Sequence, residues 1–569
     1  MSNIVLLAVN AKYVHSSLSV WVLAESISRY ARLPHNVEIV ETTIHSDDSE
    51  TADQIAAYAP DVLGISTYIW NAAKLTGLLE LLKKRLPGMT IVLGGPEASH
   101  NSGFWLERGA DHVLRGEGEH SFPAFLDALA VGGDGPGPVN KSAAELSGLS
   151  KTGKFEAFTQ RHAKQGSLSA KRDHGEPVDP YSGAYLAALR GRIAYLETSR
   201  GCPYRCAFCL SGAGGAGDSV RFFPPDTVKR QILKLSRSGT QTIKLVDRTF
   251  NCNAGRAYDL FEHIIGLDTA CRFHFEVAAD LFDGRTLELL AAAPPGRIQL
   301  EAGLQSFFEP ALEAVSRRTD TAEAERNIRM LLRGRNIHVH VDLIAGLPNE
   351  TLSDFQDSFD RAFALNAHNL QLGFLKLLHG SALREQAEHF GISYSAEPPY
   401  EIQSSPWLSG ADIRTLKNAE NALSHTCNKG RFLSSIGYAL HVSGLRPFSL
   451  FRGLGEAAPN HGTQLAEYAG HVYGFCSKLP GVDADELRDR MTCDWLAMTK
   501  GSNMPAFLKN PDRKRAKAAA IAEKALGRKV GRNEYAVLRS GMGIYVDSVT
   551  RDPVTGLYAL HSVPLFSET

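Results

Sequence analysis

The sequence predicts an α/β protein with three parts. These are a doubly wound N-terminal domain, a central partial (β/α)6 barrel and a mostly helical C-terminal domain that ends in a β-hairpin. Two stretches of the chain alternate short, continuous apolar runs with segments of helical period. That alternation is typical of buried parallel sheets covered by helices. A segment rich in Gly, Ser, Lys and Pro separates the two stretches, which indicates two folding units joined by a linker.

The first 130 residues predict a doubly wound, flavodoxin-like domain. Its candidate strands are Ile4–Val9, Val37–Thr43, Val62–Ser66, Ile91–Leu93 and Val113–Leu114. Segments of helical period, such as Leu18–Tyr30 and Ala72–Leu86, lie between the strands. Because these apolar runs are continuous, each strand is expected to be buried on both faces. Residues 131–185 follow as the predicted flexible linker.

Residues 186–394 repeat the strand–helix alternation and predict a partial, TIM-like barrel. The candidate strands are Ile193–Thr198, Ile243–Val246, Phe273–Val277, Ile298–Ala302, Val339–Ile344 and Leu370–Leu377. Functional loops of such barrels lie at the carboxyl ends of the strands.

The last part of the chain, residues 395–569, has a different pattern. It begins with helical segments and ends in short apolar runs around a turn at Asp552–Gly556. Leu557–Val563 follows that turn, and the pair predicts a closing hairpin. We expect this domain to determine substrate specificity.

Composition restricts the partners of the chain. The 569 residues include 61 Lys and Arg and 62 Asp and Glu, so the net charge is −1 and no global positive field attracts nucleic acid or anionic lipid. Nine basic residues stand between Lys509 and Arg532, a run that is usually a solvated helix face. We therefore expect a small-molecule or peptide substrate rather than nucleic acid.

Hydropathy predicts no association with membranes. No apolar run reaches the roughly 18 residues that a membrane-spanning helix needs. The N-terminal segment lacks the basic start of a signal sequence. Together these features predict a cytoplasmic protein.

Three of the eight cysteines, Cys202, Cys206 and Cys209, share one short window after a predicted strand. Thiolates are soft ligands that suit zinc or iron–sulfur clusters. A structural zinc site is closed by four ligands, and the other five cysteines form no second pair. A zinc knuckle completed by a histidine or a distant cysteine is one alternative. The other is a 4Fe–4S cluster with one iron left open to a substrate or cofactor.

The CxxxCxxC spacing, with Phe208 directly before the last cysteine, resembles the signature of the radical SAM superfamily. The resemblance implies that Cys202, Cys206 and Cys209 bind a 4Fe–4S cluster whose open iron chelates S-adenosylmethionine (SAM). A reduced cluster then cleaves SAM to a 5′-deoxyadenosyl radical. The resemblance further implies sensitivity to oxygen and an electron donor such as flavodoxin or ferredoxin.

Further segments at the ends of successive strands are similar to landmarks of the same superfamily. They are VDRTFN, FEV, GLQS and AGLPNET, although the common Gly-Gly-Glu form is absent and Asn349 replaces a usual glycine. The resemblance implies that SAM is contacted by Phe208, Asp247, Glu276, Gln305, Gly346 and Pro348.

The first domain resembles the cobalamin-binding domain that precedes the barrel in one subgroup of the superfamily. It has a strand-ending serine, a Gly-Gly pair and a Gly-Glu-Gly-Glu stretch, and it lacks a GxGxxG dinucleotide fingerprint. The resemblance implies that cobalamin is bound by Asn10, Ser66, Thr67, Tyr68, Gly94, Gly95, Pro96, Glu97, Gly116 and Glu117. A flavodoxin-like domain without cobalamin is the alternative.

The axial ligand of the cobalt is not assigned by this resemblance. The Asp-x-His-x-x-Gly motif, which supplies an axial histidine in many cobalamin methyltransferases, is absent from the sequence. His15 lies in the first loop without that spacing, and we expect it to be an ordinary loop histidine.

Taken together, these resemblances imply a cobalamin-dependent radical SAM enzyme, and most directly a methyltransferase acting on an unactivated carbon. Residues 395–569 are similar to an uncharacterised C-terminal domain of one branch of these proteins. A cobalamin-dependent radical cyclase or rearrangement enzyme, in which no methyl group is transferred, is the first alternative. A non-catalytic cobalamin or redox sensor is an alternative of another class.

Overall fold

The structure is a computed structural model that describes residues 1–130, 177–212, 220–458, 464–500, 503–510 and 515–565. Most of the predicted linker 131–185 lies outside these residues, as does 511–514 within the basic run. Among the described residues, no helix is both long and apolar enough to cross a membrane.

The N-terminal domain is a five-stranded parallel sheet in the order β2-β1-β3-β4-β5. Its strands are β1 (Ser2–Asn10), β2 (His35–Thr43), β3 (Val62–Ser66), β4 (Thr90–Gly94) and β5 (His112–Val113). Its helices are α1 (Leu18–Tyr30), α2 (Asp48–Ala56), α3 (Ala72–Arg85), α4 (Pro96–His100), α5 (Ser102–Glu107) and α6 (Gly118–Ala130). The predicted doubly wound fold is confirmed.

Strand β1 lies at the centre of this sheet and is buried on both faces. Val5, Leu7 and Val9 pack into one core cluster, and Ile4 and Leu6 pack into the cluster on the opposite face. The continuous apolar run of the sequence follows from this double burial. The strand order reverses between β1 and β3, and open α/β sheets bind ligands at the carboxyl ends of the strands beside such a reversal.

The central domain is a parallel sheet of six strands, the number that the sequence predicts, in the order β13-β12-β11-β10-β9-β6. Its strands are β6 (Ala194–Leu196), β9 (Thr242–Leu245), β10 (Arg272–Val277), β11 (Ile298–Gln305), β12 (His338–Ala345) and β13 (Asn369–Phe374). A short antiparallel pair, β7 (Ser199–Arg200) and β8 (Arg221–Phe222), follows the first strand.

Helices cover the outer face of this sheet. They are α7 (Gly183–Ala188), α8 (Pro225–Ser236), α9 (Ala254–Ile265), α10 (Gly284–Ala291), α11 (Glu309–Ala314), α12 (Thr321–Arg333), α13 (Leu352–Phe363) and α14 (Ala382–Glu385). Helix α13 begins at a capping box between Thr351 and Asp354, which satisfies backbone donors of its first turn. Strands β11 and β12 alternate buried with half-buried residues, so their buried side faces the helices and their half-buried side faces the barrel interior.

The C-terminal domain is mostly helical and ends in the predicted hairpin. Its helices are α15 (Gly410–His425), α16 (Leu433–Ser443), α17 (Pro447–Ala457), α18 (Leu465–Cys476), α19 (Ala484–Met498) and α20 (Arg515–Leu526). Its strands are the short pair β14 (Ser393–Tyr394) and β15 (Ile402–Ser404), then β16 (Tyr535–Val537), β17 (Met542–Arg551) and β18 (Tyr558–Pro564).

The hairpin between β17 and β18 reaches the amino-terminal end of the barrel. His338, the first residue of β12, donates a 2.9 Å hydrogen bond from Nδ1 to the Val554 carbonyl. Gly296 has a φ of +74°, and a Cβ at this position would lie 2.5 Å from the Pro553 carbonyl oxygen. The hairpin tip therefore packs against the end of the barrel opposite to its functional loops.

Candidate cofactor site between the two sheets

A cavity of about 760 Å³ separates the carboxyl ends of the N-terminal strands from the mouth of the barrel. Known ligand pockets have volumes of roughly 300–1,000 Å³. Residues of both domains line it, among them Asn10, Tyr68, Gly94, Glu197 and Glu276. The two edges at which sequence and fold predict ligands therefore share one space.

Seven of the ten predicted cobalamin residues line this cavity. They are Asn10, Ser66, Tyr68, Gly94, Gly95, Gly116 and Glu117. Thr67, Pro96 and Glu97 do not line it. The Thr67 hydroxyl donates to the Gly94 carbonyl at 2.7 Å and accepts from the Ala98 amide at 2.9 Å, so it holds the turn after β4.

Gly94 and Gly95 form the edge of the cavity after β4. Gly95 has a φ of +94°, and a Cβ there would lie 2.5 Å from the Thr67 carbonyl oxygen, so the turn itself requires glycine. Gly116, on the neighbouring loop, also has a positive φ, and a Cβ there would meet nothing within 4 Å. A lining that includes these three glycines is compatible with a large ligand such as cobalamin.

Arg200, at the end of β7, joins the two domains at the cavity wall. Its guanidinium lies 2.8 Å from Glu197, 3.1 Å from Glu117 and in direct contact with Glu119. Burial raises the pKa of the Glu197 carboxyl. Because two acidic side chains of the first domain share one arginine of the barrel, these contacts fix the two walls of the cavity relative to each other.

His15 also belongs to this domain contact. Its Nδ1 lies 2.6 Å from the Tyr195 hydroxyl, and both side chains line the cavity. Burial lowers the pKa of His15 and raises that of Tyr195 to about 12. The expectation of an ordinary loop histidine is consistent with this bond.

The three clustered cysteines occupy the loop after β7. Cys206 is buried, and Cys202 and Cys209 are half-buried. The Cys209 amide donates to the Cys206 carbonyl at 3.0 Å, and Arg317 Nη1 lies 3.8 Å from Cys206 Sγ. Burial raises the pKa of the Cys206 thiol, and the neighbouring Arg317 guanidinium partly opposes that shift.

In the described part of the chain, no group of three metal-ligating atoms within 4.8 Å of one another includes a cysteine. Thiolates are soft ligands that suit both zinc and iron–sulfur clusters.

The SAM residues predicted after the second and third barrel strands are Asp247 and Glu276, and they have different environments in the structure. Glu276, in β10, lines the cavity and lies 3.8 Å from Lys244. Burial raises the pKa of Glu276. Asp247 does not line the cavity and is almost fully buried.

The carboxylate of Asp247 is already used by the polypeptide. It accepts hydrogen bonds from the Thr198 amide at 3.0 Å, from the Thr198 hydroxyl at 2.7 Å and from the Ser199 hydroxyl. Burial raises its pKa. These bonds hold the chain directly before the cysteine loop.

The remaining predicted SAM residues lie outside the lining of the large cavity. Phe208 is half-buried and packs against the barrel core. Gln305 ends β11 with a φ of +69°, and its side-chain Oε1 is buried with no hydrogen-bond partner among the described residues. An orphaned acceptor at a strand end fits a ligand that donates a hydrogen bond.

The predicted adenine segment follows β12. Gly346 has a φ of +99°, and a Cβ there would lie 2.9 Å from Ile402 Cδ1. Pro348 is buried. The conformation after β12 therefore requires glycine at position 346.

Several polar and charged residues of the cavity were not predicted from the sequence. Tyr195, Glu197, Arg200, Lys244 and Arg248 line it from the barrel side. Half-buried and buried residues alternate along β9, and Lys244 occupies one of the half-buried positions. The same alternation of polar and apolar residues in the sequence could have identified Lys244. A lysine at an inward position of a short strand points to a polar barrel interior.

The fold and this site define a class of protein: a doubly wound domain that faces a barrel with a three-cysteine loop at its mouth. Comparison with known families assigns the parts. Residues 4–126 match the B12 binding domain, residues 196–362 match the radical SAM superfamily, and residues 388–535 match a protein family of unknown function, DUF4080. The chain therefore combines a radical SAM domain with a B12-binding domain and a DUF4080 domain.

Curated relatives share this combination in part. The chain is 27% identical over 373 residues to the cobalamin-dependent radical SAM methyltransferase TokK of Streptomyces tokunonensis, covering 60% of this chain and 51% of TokK. It is 28% identical over 335 residues to the 2-(S-pantetheinyl)-carbapenam-3-carboxylate methyltransferase of Streptantibioticus cattleyicolor, covering 54% of this chain and 46% of that protein. The chain spans about half the length of these two relatives.

A solved structure has the same fold. The radical SAM methyltransferase TsrM from Kitasatospora setae, with cobalamin and a [4Fe-4S] cluster bound, superimposes with a TM-score of 0.54 at 18% identity. The match covers 80% of this chain and 98% of TsrM. The radical SAM domain implies a 4Fe–4S cluster and SAM, and the B12-binding domain implies cobalamin.

Proposed function

We propose that this protein is a cobalamin-dependent methyltransferase that adds a methyl group to an unactivated carbon of a small-molecule or peptide substrate. One observation supports this proposal above the others: a single cavity is lined both by the glycine edge of the B12-binding domain and by Glu276 at the barrel mouth. A substrate in that cavity would be accessible from both cofactor sites. The relatives named as methyltransferases agree with this assignment.

In this proposal the cofactors supply the reactive groups, which are a radical that removes a hydrogen atom from the substrate and a methyl group that replaces it. Cys202, Cys206 and Cys209 hold the 4Fe–4S cluster. SAM is contacted by Phe208, Glu276, Gln305, Gly346 and Pro348. Asp247 takes a positioning role, because Thr198 and Ser199 occupy its carboxylate.

Cobalamin lies against the cavity side of the first domain in this proposal. The residues that contact it are Asn10, Ser66, Tyr68, Gly94, Gly95, Gly116 and Glu117. Thr67 and Glu97 support the loops that carry these contacts, since their polar atoms bond to the polypeptide. His15 bonds to Tyr195 through Nδ1, and this proposal gives it no contact with cobalamin.

The chain's own charged residues would orient the substrate and exclude water. Lys244 and Arg248 place two cations at the barrel side of the cavity, where they fit an anionic group of the substrate or cofactor. The contacts of Arg200 with Glu117 and Glu119 close the wall between the domains. A cytoplasmic location and a flavodoxin or ferredoxin as electron donor complete the proposal.

The test uses the full chain, produced with iron and cobalamin and handled without oxygen. Incubation with SAM, a reductant and candidate substrates is expected to yield 5′-deoxyadenosine and a product heavier by one CH₂ unit, both measured by mass spectrometry. Cys206→Ala is expected to lose the cluster absorbance and both products. Cys493→Ala, at a half-buried cysteine outside the loop, is the matched control and should retain them.

Two results would contradict the proposal. A product of unchanged mass, formed together with 5′-deoxyadenosine, would assign the protein to the cyclase or rearrangement enzymes. If reduced, cluster-loaded protein cleaves no SAM with any substrate, the catalytic assignment fails and the sensor alternative is favoured.

A further inference from the structure

A second polar cluster lies inside the barrel. Strands β11 and β12 turn their half-buried positions toward the interior, and these positions include Glu301, His340 and Asp342. Lys244, which lines the cofactor cavity, lies 3.4 Å from Glu301 and connects the cluster to that cavity. The functions assigned to the cofactor site do not use these three residues.

Strand register brings the three side chains together. Glu301 of β11 stands opposite His340 of β12, and Gly303 stands opposite Asp342. The Gln305 side chain occupies the space that a side chain at Gly303 would take, since a Cβ there would lie 2.3 Å from Gln305 Nε2. His340 and Asp342 are two positions apart on one strand and therefore share its inner side.

The donor atoms of this cluster are close enough for one ion. One ligating atom from each of Glu301, His340 and Asp342 lies within 4.8 Å of the other two. His340 Nε2 is 2.9 Å from Asp342 Oδ1, and His340 Nδ1 is 3.9 Å from Glu301 Oε2. Two carboxylates this close repel each other unless a proton or a cation lies between them.

His340 and Asp342 face each other at a distance that suits a shared ion. His340 Nε2 and Asp342 Oδ1 are buried and lie 2.9 Å apart, and neither has a hydrogen-bond partner among the other described residues. A cation in place of the proton between them would receive a lone pair from each atom.

We propose that Glu301, His340 and Asp342 bind a divalent transition-metal ion inside the barrel. One imidazole and two carboxylates are a donor set suited to Mn²⁺, Fe²⁺ or Zn²⁺. His274 Nε2 lies 2.8 Å from Glu301 Oε2 and orients that carboxylate, as residues behind metal ligands do. Three protein ligands leave coordination positions open, so the ion binds an oxygen donor of the substrate, such as a carboxylate or hydroxyl group.

The test is a Mn²⁺ titration of the cluster-loaded, full-length protein, in which free Mn²⁺ is counted by electron paramagnetic resonance. Mn²⁺ prefers oxygen and nitrogen donors, so the cysteine loop does not compete for it. The wild-type protein is expected to bind one Mn²⁺ per chain. Asp342→Asn and His340→Gln should each weaken binding by more than about tenfold.

The matched control is His338→Gln, which changes a histidine on the same strand two positions before His340. His338 bonds to the Val554 carbonyl and is not part of the cluster, so this variant should bind Mn²⁺ as the wild type does. Cluster absorbance and circular dichroism establish that each variant is folded. If Asp342→Asn and His340→Gln do not fold, Lys244→Met provides the decisive measurement. Removing this cation from beside Glu301 should tighten Mn²⁺ binding.

The proposal is wrong if the wild-type protein shows no saturable Mn²⁺ binding, or if the folded Asp342→Asn and His340→Gln variants bind as the wild type does. If Lys244→Met is the variant measured, Mn²⁺ binding that is unchanged or weaker than in the wild type also shows that the proposal is wrong. The metal measurement does not require methyl transfer. Intact Mn²⁺ binding without a methylated product would therefore refute the proposed function and leave the metal site standing.

Discussion

The Tyr400 hydroxyl donates a 2.6 Å hydrogen bond to Glu97 Oε1, and both side chains are buried. This bond connects the segment after the barrel to the loop after β4 of the B12-binding domain, across 303 residues of sequence. Glu97 follows the Gly94-Gly95 edge of the cavity directly. The C-terminal part of the chain thus supports the loop on which we propose that cobalamin rests.

Tyr400→Phe tests the strength of this connection. The variant leaves a buried carboxyl with only a 3.4 Å contact from Asn101, which is expected to cost about 1–3 kcal/mol. We expect a melting temperature lower by a few degrees, measured by differential scanning fluorimetry. Tyr394→Phe is the control, since Arg384 lies beside both rings and Tyr394 does not contact Glu97. If both substitutions lower the melting temperature equally, the hydrogen bond between Tyr400 and Glu97 has no specific role in stability.

Gly95→Ala tests the glycine edge. The added Cβ would lie 2.5 Å from the Thr67 carbonyl oxygen at a φ of +94°, so the turn must shift. We expect a loss of stability of about 1–3 kcal/mol and a several-fold lower cobalamin content of the purified protein, measured by its visible spectrum. Gly103→Ala, where a Cβ meets nothing within 4 Å, is the control. Full cobalamin content in the Gly95 variant would remove this edge from the site.

The fold was predictable because the spacing of hydrophobic residues along the chain reflects which residues are buried. The predicted strand Val62–Ser66 has the bounds of β3, which is buried along its whole length. Predicted and observed boundaries differ at β13, where the strand ends at Phe374 rather than Leu377, although Leu375 and Leu377 are buried. Beyond Phe374, the Leu377 amide donates a hydrogen bond to the Tyr400 carbonyl. The hydrophobic pattern of one segment cannot show such a contact with a later segment.

The site was less predictable, because a polar residue at a strand end has the same sequence signal whether it binds a ligand or its own chain. The sequence resemblance implies a SAM contact at Asp247, whereas in the structure Thr198 and Ser199, 49 and 48 residues earlier, bond to its carboxylate. Tertiary hydrogen bonds of this kind depend on where two loops meet. The three cysteines were identifiable because their spacing lies within one loop.

Arg200→Met tests the contact between the domains. The substitution leaves Glu197 buried without its partner and removes the cation between Glu117 and Glu119. We expect a loss of about 2–4 kcal/mol, measured by urea unfolding, together with lower cobalamin content. Arg221→Met is the control, because Arg221 pairs with Glu117 alone, at a carboxylate that is 52% exposed. If the two variants are equally stable, Arg200 does not join the domains.

Glu350 predicts a pH dependence of stability. Burial raises the pKa of its carboxyl to about 8, against 4.5 in an exposed chain, and Ser306 is its hydrogen-bonding neighbour. The folded state therefore holds this proton more tightly than the unfolded state. Its contribution to stability is complete below pH 4.5 and is lost as the pH rises to about 8.

Glu350→Gln cannot ionise and should not show this loss. Between about pH 5.5 and pH 8, the wild type is expected to lose about 3 kcal/mol relative to the variant, measured by urea unfolding at both values. Glu309→Gln, at an exposed carboxyl of α11, is the control and should follow the wild type. Parallel pH profiles of Glu350→Gln and the wild type would contradict the raised pKa.

Gln305 allows stability and ligand binding to be separated. Its Oε1 is buried without a hydrogen-bond partner among the described residues, so Gln305→Leu removes an unsatisfied acceptor and is expected to leave the melting temperature nearly unchanged. If this oxygen accepts a hydrogen bond from SAM, the same substitution should weaken SAM binding by about tenfold, or 1.4 kcal/mol, in anaerobic calorimetry of the cluster-loaded protein. Ser306→Ala is the control for the neighbouring position, since its hydroxyl bonds Glu350 and its loss should lower stability instead. Unchanged SAM affinity in Gln305→Leu would remove Gln305 from the SAM site, because the buried oxygen would then have no ligand to bind.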